Sequence, residues 1–152
     1  MNKQQVIEKV EKAWADFHQA YNGLAPEQMI QPGVDGEWSV RDLLAHVSWW
    51  EDELLIHLPE ILQGIRPQRY SVLYGGIDAF NALMTEKWAP LTLAEVQRKV
   101  METHAKVITY LQSVPEEEFK SGSRFRRRIL LDTYGHYPYH AKSILDWRGK
   151  TS

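Results

Sequence analysis

Two histidines near the end of the sequence have a spacing that suits metal binding. His136 and His140 are four residues apart, and residues with this spacing project from the same face of a helix, about 5–6 Å apart at Cβ. Two imidazoles placed in this way can bind one transition metal if a third ligand comes from another helix. His46 is the best candidate for that third ligand. A site of three histidines leaves coordination positions open for water or substrate, as catalytic metal sites do.

Metal binding competes with simpler interpretations of the same residues. Histidine pairs with this spacing often arise by chance, and His136 and His140 could be core residues satisfied by hydrogen bonds. Pro138 lies between them and favours a helix that begins there, which leaves the side-chain geometry open. His46 alone would most often be a half-buried packing residue. His104 also points towards the core and competes with His46 as third ligand.

A carboxylate and three aromatic residues complete the predicted site. The helical pattern directs Glu51 towards the apolar face of its helix, where an unpaired carboxylate is costly. Glu51 can act as a general base, hydrogen-bond a histidine or pair with an arginine, or it can reach solvent near the end of the helices. Trp50, Tyr137 and Tyr139 are predicted to line the substrate pocket.

Four long helices are predicted to position these residues, because apolar side chains recur with helical spacing. Ser39 and Thr92 are good N-caps for the second and third helices. The predicted helices are residues 3–21, 39–63, 92–113 and 131–147, with a short extra helix at 77–88. A long connection lets two successive helices run the same way. The predicted fold is therefore all-α: an up-down-down-up four-helix bundle whose long crossover carries the short helix, in one domain spanning 1–152.

The composition limits the classes of function. With 152 residues, of which 43% are hydrophobic and 25% charged, the chain suits one ordinary globular domain. Its net charge of −2 gives no general reason to expect nucleic acid or an anionic membrane as a partner. The absence of cysteine excludes thiolate ligands and a cysteine nucleophile. No signal-like or membrane-spanning stretch is evident, so the expected location is cytoplasmic.

A basic segment precedes the histidine pair. Residues 120–128 hold five positive charges, directly after three glutamates at 116–118. Such clusters can bind phosphate or a nucleic-acid backbone. Because opposite charges lie beside it, a solvated loop with local ion pairs is the preferred interpretation. An anionic ligand held at the rim of the pocket is a narrower alternative.

Two segments resemble a known family. Residues 37–51, EWSVRDLLAHVSWWE, look like the second-helix signature of DinB-like proteins, and residues 132–140, DTYGHYPYH, resemble the closing motif of their ClbS/DfsB-related branch. This resemblance implies an up-down-down-up bundle that is frequently dimeric. Many members bind a divalent metal through three histidines, which correspond here to His46, His136 and His140. Some relatives are thiol-dependent transferases, and the ClbS/DfsB-related branch includes a resistance factor that hydrolyses the cyclopropane warhead of a genotoxin.

The residues and the resemblance together predict a metal-dependent hydrolase or transferase that acts on a small molecule. The cofactor is expected to be a divalent transition metal, with Zn or Ni preferred. One alternative is a non-catalytic protein that binds or sequesters a small molecule for self-protection, and another is an interaction protein with a vestigial site. A homodimer is expected from the resemblance and from Trp49 and Ile56, which fall outside the core stripe of their helix, since exposed apolar area often marks an interface.

Overall fold

The computed structural model describes residues 1–151 and is built from helices. In chain order the elements are α1 (Lys3–Tyr21), α2 (Pro26–Met29), α3 (Val40–Leu62), α4 (Tyr70–Leu73), α5 (Ile77–Trp88), α6 (Leu93–Ser113), a 3₁₀ turn (Glu116–Glu118), α7 (Arg124–Asp132) and α8 (Tyr137–Thr151). Within the described residues there is no strand, and Asp35 and Trp38 form an isolated bridge. The predicted all-α class is confirmed.

Capping boxes define where two of the long helices begin. The Ser39 hydroxyl accepts a hydrogen bond from the Asp42 N–H (3.1 Å), and the Asp42 carboxylate accepts one from the Ser39 N–H (3.0 Å). Thr92 and Glu95 exchange the same pair of bonds at the start of α6. These bonds satisfy amide groups that the first turn of a helix leaves without partners. The first helical residues are therefore those that follow the two caps.

Contacts between helix ends give the relative directions of the helices. Lys3, at the start of α1, donates through Nζ to the carbonyl of Gln112 at the end of α6, so these two helices are antiparallel. Arg41, at the start of α3, donates to the carbonyl of Leu91 just before α6, so α3 and α6 run parallel. Arg148, near the end of α8, donates to a carbonyl near the end of α1, so α1 and α8 run parallel. These are the directions that an up-down-down-up order requires.

The apolar core lies between α1, α3, α6 and α8. Phe17, Leu54, Leu111 and Ile144, one from each of these helices, have no exposed surface. Burial of large apolar side chains contributes about 1.5–3 kcal/mol each. Among residues 1–151, no helix combines the length and the apolar character that crossing a membrane requires.

The prediction of one continuous helix over 131–147 is wrong. Helix α7 ends at Asp132, and α8 begins at Tyr137 after a turn. Pro138 lies in the first turn of α8, where its missing N–H removes no helical hydrogen bond. In the turn, the Gly135 N–H donates to the carbonyl of Leu130 (2.8 Å), and a Cβ on Gly135 would lie 2.6 Å from that oxygen. His136 therefore lies in a turn rather than on the helix that carries His140.

The basic segment also differs from the prediction, because most of it is helical. Phe125 and Ile129 are four residues apart and are buried on one side of α7, which packs against α3. The Ser123 hydroxyl caps α7 by accepting from the Arg126 N–H (3.1 Å). Phe125 and Ile129 thus have the spacing of one helix face and pack a segment against the core that its charge pattern alone predicts to be a loop.

Candidate metal centre

His46, His136 and His140 converge in the structure. Nε2 of His136 lies 3.1 Å from Nε2 of His46 and 2.9 Å from Nε2 of His140. The three potential ligand atoms all lie within 4.8 Å of one another. Two nitrogens that bind one zinc ion with tetrahedral angles are about 3.3 Å apart. Two of the three distances are close to this value, so the three histidines could hold one transition metal ion.

Each histidine comes from a different part of the fold. His46 is on α3, where the rings of Trp38 and Trp49 lie 4.8 and 5.2 Å from its ring. His136 is in the turn after α7, and its N–H donates to the carbonyl of Thr133 (2.8 Å). His140 is in the first turn of α8. Packing on α3 and the turn before α8 therefore bring the three imidazoles together.

The nitrogens of this cluster are poorly satisfied by the protein itself. A neutral imidazole offers one N–H donor and one lone pair. The Nδ1 atoms of His46, His136 and His140 are buried without a hydrogen-bond partner among the described residues, while their Nε2 atoms face one another. If the protons are on Nδ1, three Nε2 lone pairs repel each other at close range. A cation bound by the three Nε2 atoms would remove that repulsion.

Burial lowers the pKa of all three histidines. The pKa is about 2 for His46, about 3 for His136 and about 4 for His140. Repulsion from His136 and His140 lowers the pKa of His46 further, and His140 does the same to His136. All three are therefore neutral near pH 7, the state in which imidazole binds a metal.

Acid should destabilise the metal-free protein through these histidines. Their ordinary pKa is 6.5, so the unfolded chain takes up protons below that pH while the folded cluster stays neutral to far lower pH. The unfolded state then binds more protons between about pH 6.5 and 4, and the free energy of unfolding falls as pH decreases through that window, by on the order of 2 kcal/mol per histidine at pH 5. Denaturant unfolding at pH 7.5 and pH 5 measures this fall, which should be smaller in His140→Gln. Equal falls would contradict it.

The histidines form one wall of a cavity of about 470 Å³. Its other lining side chains are mostly aromatic or polar: Trp50, Tyr70, Ile77, Asn81, Arg128, Leu131, Asp132 and Tyr139. Of the residues predicted to contact substrate, Trp50 and Tyr139 line this cavity. Its volume lies in the range of small-molecule sites.

Glu51 and Tyr137 lie in the core and do not line the cavity. Neither has exposed surface. Oε2 of Glu51 accepts a hydrogen bond from the Tyr137 hydroxyl (2.9 Å) and lies 2.8 Å from Nδ1 of His104, whose ring stacks on Trp14. Burial raises the pKa of Glu51, while its bonds to His104 and Tyr137 oppose the rise. Glu51 thus bonds none of the three converging histidines, and His104 is not one of them.

The sequence does not single out two charged cavity residues, because Arg128 appears there only as part of the basic segment and Asp132 only as part of the family motif. Arg128 donates through Nε to Asp132 (2.6 Å) and through Nη2 to the Tyr70 hydroxyl (2.9 Å), which donates in turn to Glu53 (3.0 Å). Burial raises the pKa of Asp132 to about 6, although Arg128 opposes the rise. Their spacing of four residues is the signal that could have found them, but it has meaning only once α7 is recognised as a helix.

Comparison with known proteins identifies the fold. The model of the DinB superfamily matches residues 9–143. A Streptococcus pneumoniae protein structure aligns with a TM-score of 0.81 at 16% identity, covering 98% of this chain and 91% of that one. DfsB, a sibling lethal factor precursor, aligns at 0.80 and 13% identity, covering 99% and 97%. The colibactin self-resistance protein ClbS, in complex with double-stranded DNA, aligns at 0.79 and 11%, covering 97% and 96%. No curated protein is significantly similar in sequence.

Proposed function

We propose that this chain, which belongs to the DinB superfamily, is a metal-dependent hydrolase or transferase that acts on a small molecule. The observation that carries this proposal is the convergence of His46, His136 and His140 on the wall of the cavity. Their lowered pKa values support it, because neutral imidazoles bind a metal without first losing protons.

The cavity residues suggest a division of roles. A bound Zn²⁺ or Ni²⁺ would supply a Lewis acid that lowers the pKa of water or of a thiol. Trp50 and Tyr139 give the substrate apolar surface. Asp132 lines the cavity, and its pKa of about 6 suits a group that accepts a proton near neutral pH. Arg128 fixes Asp132 through their hydrogen bond.

Glu51 fits a positioning role better than that of general base. Its carboxylate bonds the Tyr137 hydroxyl, and Tyr137 directly follows His136 in the chain. That bond ties the first turn of α8 to α3, the helix that carries His46. Glu51 thereby fixes the position of His136 relative to His46 without contacting either of these histidines.

Metal binding and turnover test the proposed function directly. Protein purified without a nickel column or histidine tag should bind about one Zn²⁺ or Ni²⁺ per chain in calorimetry. The loaded protein should then hydrolyse p-nitrophenyl acetate, or conjugate chlorodinitrobenzene with an added thiol, faster than the metal-free protein. A protein that binds no metal contradicts the proposal. Metal binding without metal-dependent turnover favours the non-catalytic alternative.

That alternative is a protein that binds a reactive small molecule for self-protection. One specific observation favours it: the fold is shared with ClbS, a colibactin self-resistance protein. The complex of that relative with double-stranded DNA also bears on our expectation that nucleic acid is not a partner. The net charge of −2 supports that expectation for this chain, and it stays a prediction.

The homodimer and the cytoplasmic location also stay predictions. Ile56 supports a dimer, since 55% of its surface is exposed. Trp49 gives no such support. Its indole N–H donates to Asn81 of α5 (3.1 Å), and its ring is buried, because the crossover covers that side of α3.

A further inference from the structure

Beside the cavity lies a second, smaller groove of about 260 Å³ that is lined by five arginines. Arg66 and Arg69 come from the segment before α4, and Arg124, Arg127 and Arg128 come from α7. Arginines that are distant in sequence therefore line one groove.

The arginine groove adjoins the cavity that contains the histidines. Tyr70, Arg128 and Leu131 line both of them. Arg128 donates to the Tyr70 hydroxyl at this junction. These residues form a common boundary between the two spaces, so a molecule that extends past this boundary would reach both of them.

The positive charge of the groove is largely uncompensated. Within the described part of the chain, Arg128 alone of the five forms a salt bridge, to Asp132. The glutamates at 116–118 do not supply the expected partners: Glu116 accepts a hydrogen bond from the backbone N–H of Lys3 (2.8 Å) instead. Guanidinium groups stay charged at every physiological pH. Four positive charges around one small groove repel each other unless an anion joins them.

We propose that the arginine groove binds a phosphate group of a small-molecule substrate whose reactive part lies beside the three histidines. Phosphate is favoured over carboxylate because its charge approaches −2 and its three terminal oxygens can each pair with guanidinium groups. A small molecule is favoured over nucleic acid because the groove is small and the chain as a whole is acidic. The assignment to the substrate rests on the proposed function, whereas phosphate binding itself does not.

Calorimetric titration with inorganic phosphate tests the groove on the whole, metal-free chain. The double variant R124Q/R127Q removes two charges from one wall, and R66Q/R69Q removes two from the other. Each variant should weaken phosphate binding by at least about tenfold. The reason is that it removes two charged hydrogen-bond donors, and the loss of one such bond already corresponds to about a tenfold change in affinity. All four residues are exposed, so folding should be unaffected, and far-ultraviolet circular dichroism checks this. If both variants bind phosphate as tightly as the wild type does, the proposal is wrong.

A matched control removes two exposed positive charges elsewhere. Arg98 and Lys106 are exposed on α6 and do not line the groove, and Arg98 makes only an exposed pair with Glu102. R98Q/K106Q should bind phosphate as the wild type does. If it weakens binding as much as R124Q/R127Q, general charge rather than the groove is responsible, which overturns the proposal.

Two further titrations separate the alternatives. Glycerol phosphate should bind in competition with inorganic phosphate, while a short DNA duplex at the same ionic strength should not bind in the groove. Duplex binding that R124Q/R127Q abolishes, with no binding of either small phosphate, would instead identify a nucleic-acid surface. His46→Ala should keep its phosphate affinity, so failure of the metal site and failure of the arginine groove give different results.

Discussion

Replacing His46, His136 or His140 by Ala is expected to remove most bound metal from the protein. Each change deletes one of three metal ligands. Loss of a residue that only hydrogen-bonds a ligand lowers metal affinity by roughly 10–100-fold, so loss of a ligand should lower it further. The helical content should stay nearly unchanged, because the core is formed by apolar side chains that do not depend on an ion. Metal per chain after dialysis, measured by mass spectrometry, and far-ultraviolet circular dichroism are the two readouts.

His57→Ala is the matched control for this prediction. His57 is a buried histidine on the same helix as His46. Its Nδ1 lies 2.8 Å from Glu60, and it is not part of the converging group. This variant should retain its metal. Retention of metal in His46→Ala would show that the ion is bound elsewhere. An equal loss of metal in His57→Ala would show that the loss is not specific to the three converging histidines.

Most helix positions could be predicted from the sequence because their signals are local. Helices α1, α3, α5 and α6 begin and end within one residue of the predicted bounds. Apolar spacing and the caps at Ser39 and Thr92 depend on residues that are neighbours in the chain. The prediction of a single helix in the region of α7 and α8 was wrong because the local apolar pattern hides the turn between them. This pattern continues through Gly135 and Pro138. Pro138 is a local sign that a helix begins beside it, whereas the close approach of Gly135 to Leu130 appears only in three dimensions.

The candidate site could be predicted in part. The three histidines are suggested by residue type, spacing and resemblance, although the helical geometry assumed for His136 is wrong. Periodicity shows that Glu51 points inwards but not which neighbour it meets, and that neighbour is His104, 53 residues further along the chain. The arginine groove depends on the same kind of information, because Arg66 and Arg124 line one groove only after the chain has folded.

Glu51→Leu is expected to lower the free energy of unfolding by about 3 kcal/mol. Leucine fills a similar space but leaves the Tyr137 hydroxyl and Nδ1 of His104 buried without the carboxylate, and each unsatisfied group costs about 1–3 kcal/mol. Leucine also removes Oε1, which has no partner among the described residues, so the loss should be less than the sum of the two largest costs. Thermal unfolding should shift down by roughly 6–12 °C for a domain of this size.

A double-mutant cycle shows whether Glu51 acts through Tyr137. Tyr137→Phe deletes only the hydroxyl that donates to Glu51, and Glu51→Gln keeps the shape and an acceptor oxygen, so both should cost less than Glu51→Leu. Because the two side chains share a buried bond, the stability changes of Tyr137→Phe and Glu51→Leu should be non-additive by at least about 0.5 kcal/mol. Strict additivity would mean that the bond contributes nothing. If Glu51 also positions the metal ligands, Glu51→Leu should weaken metal binding at a temperature where the variant is fully folded, whereas a purely structural role would leave that affinity unchanged.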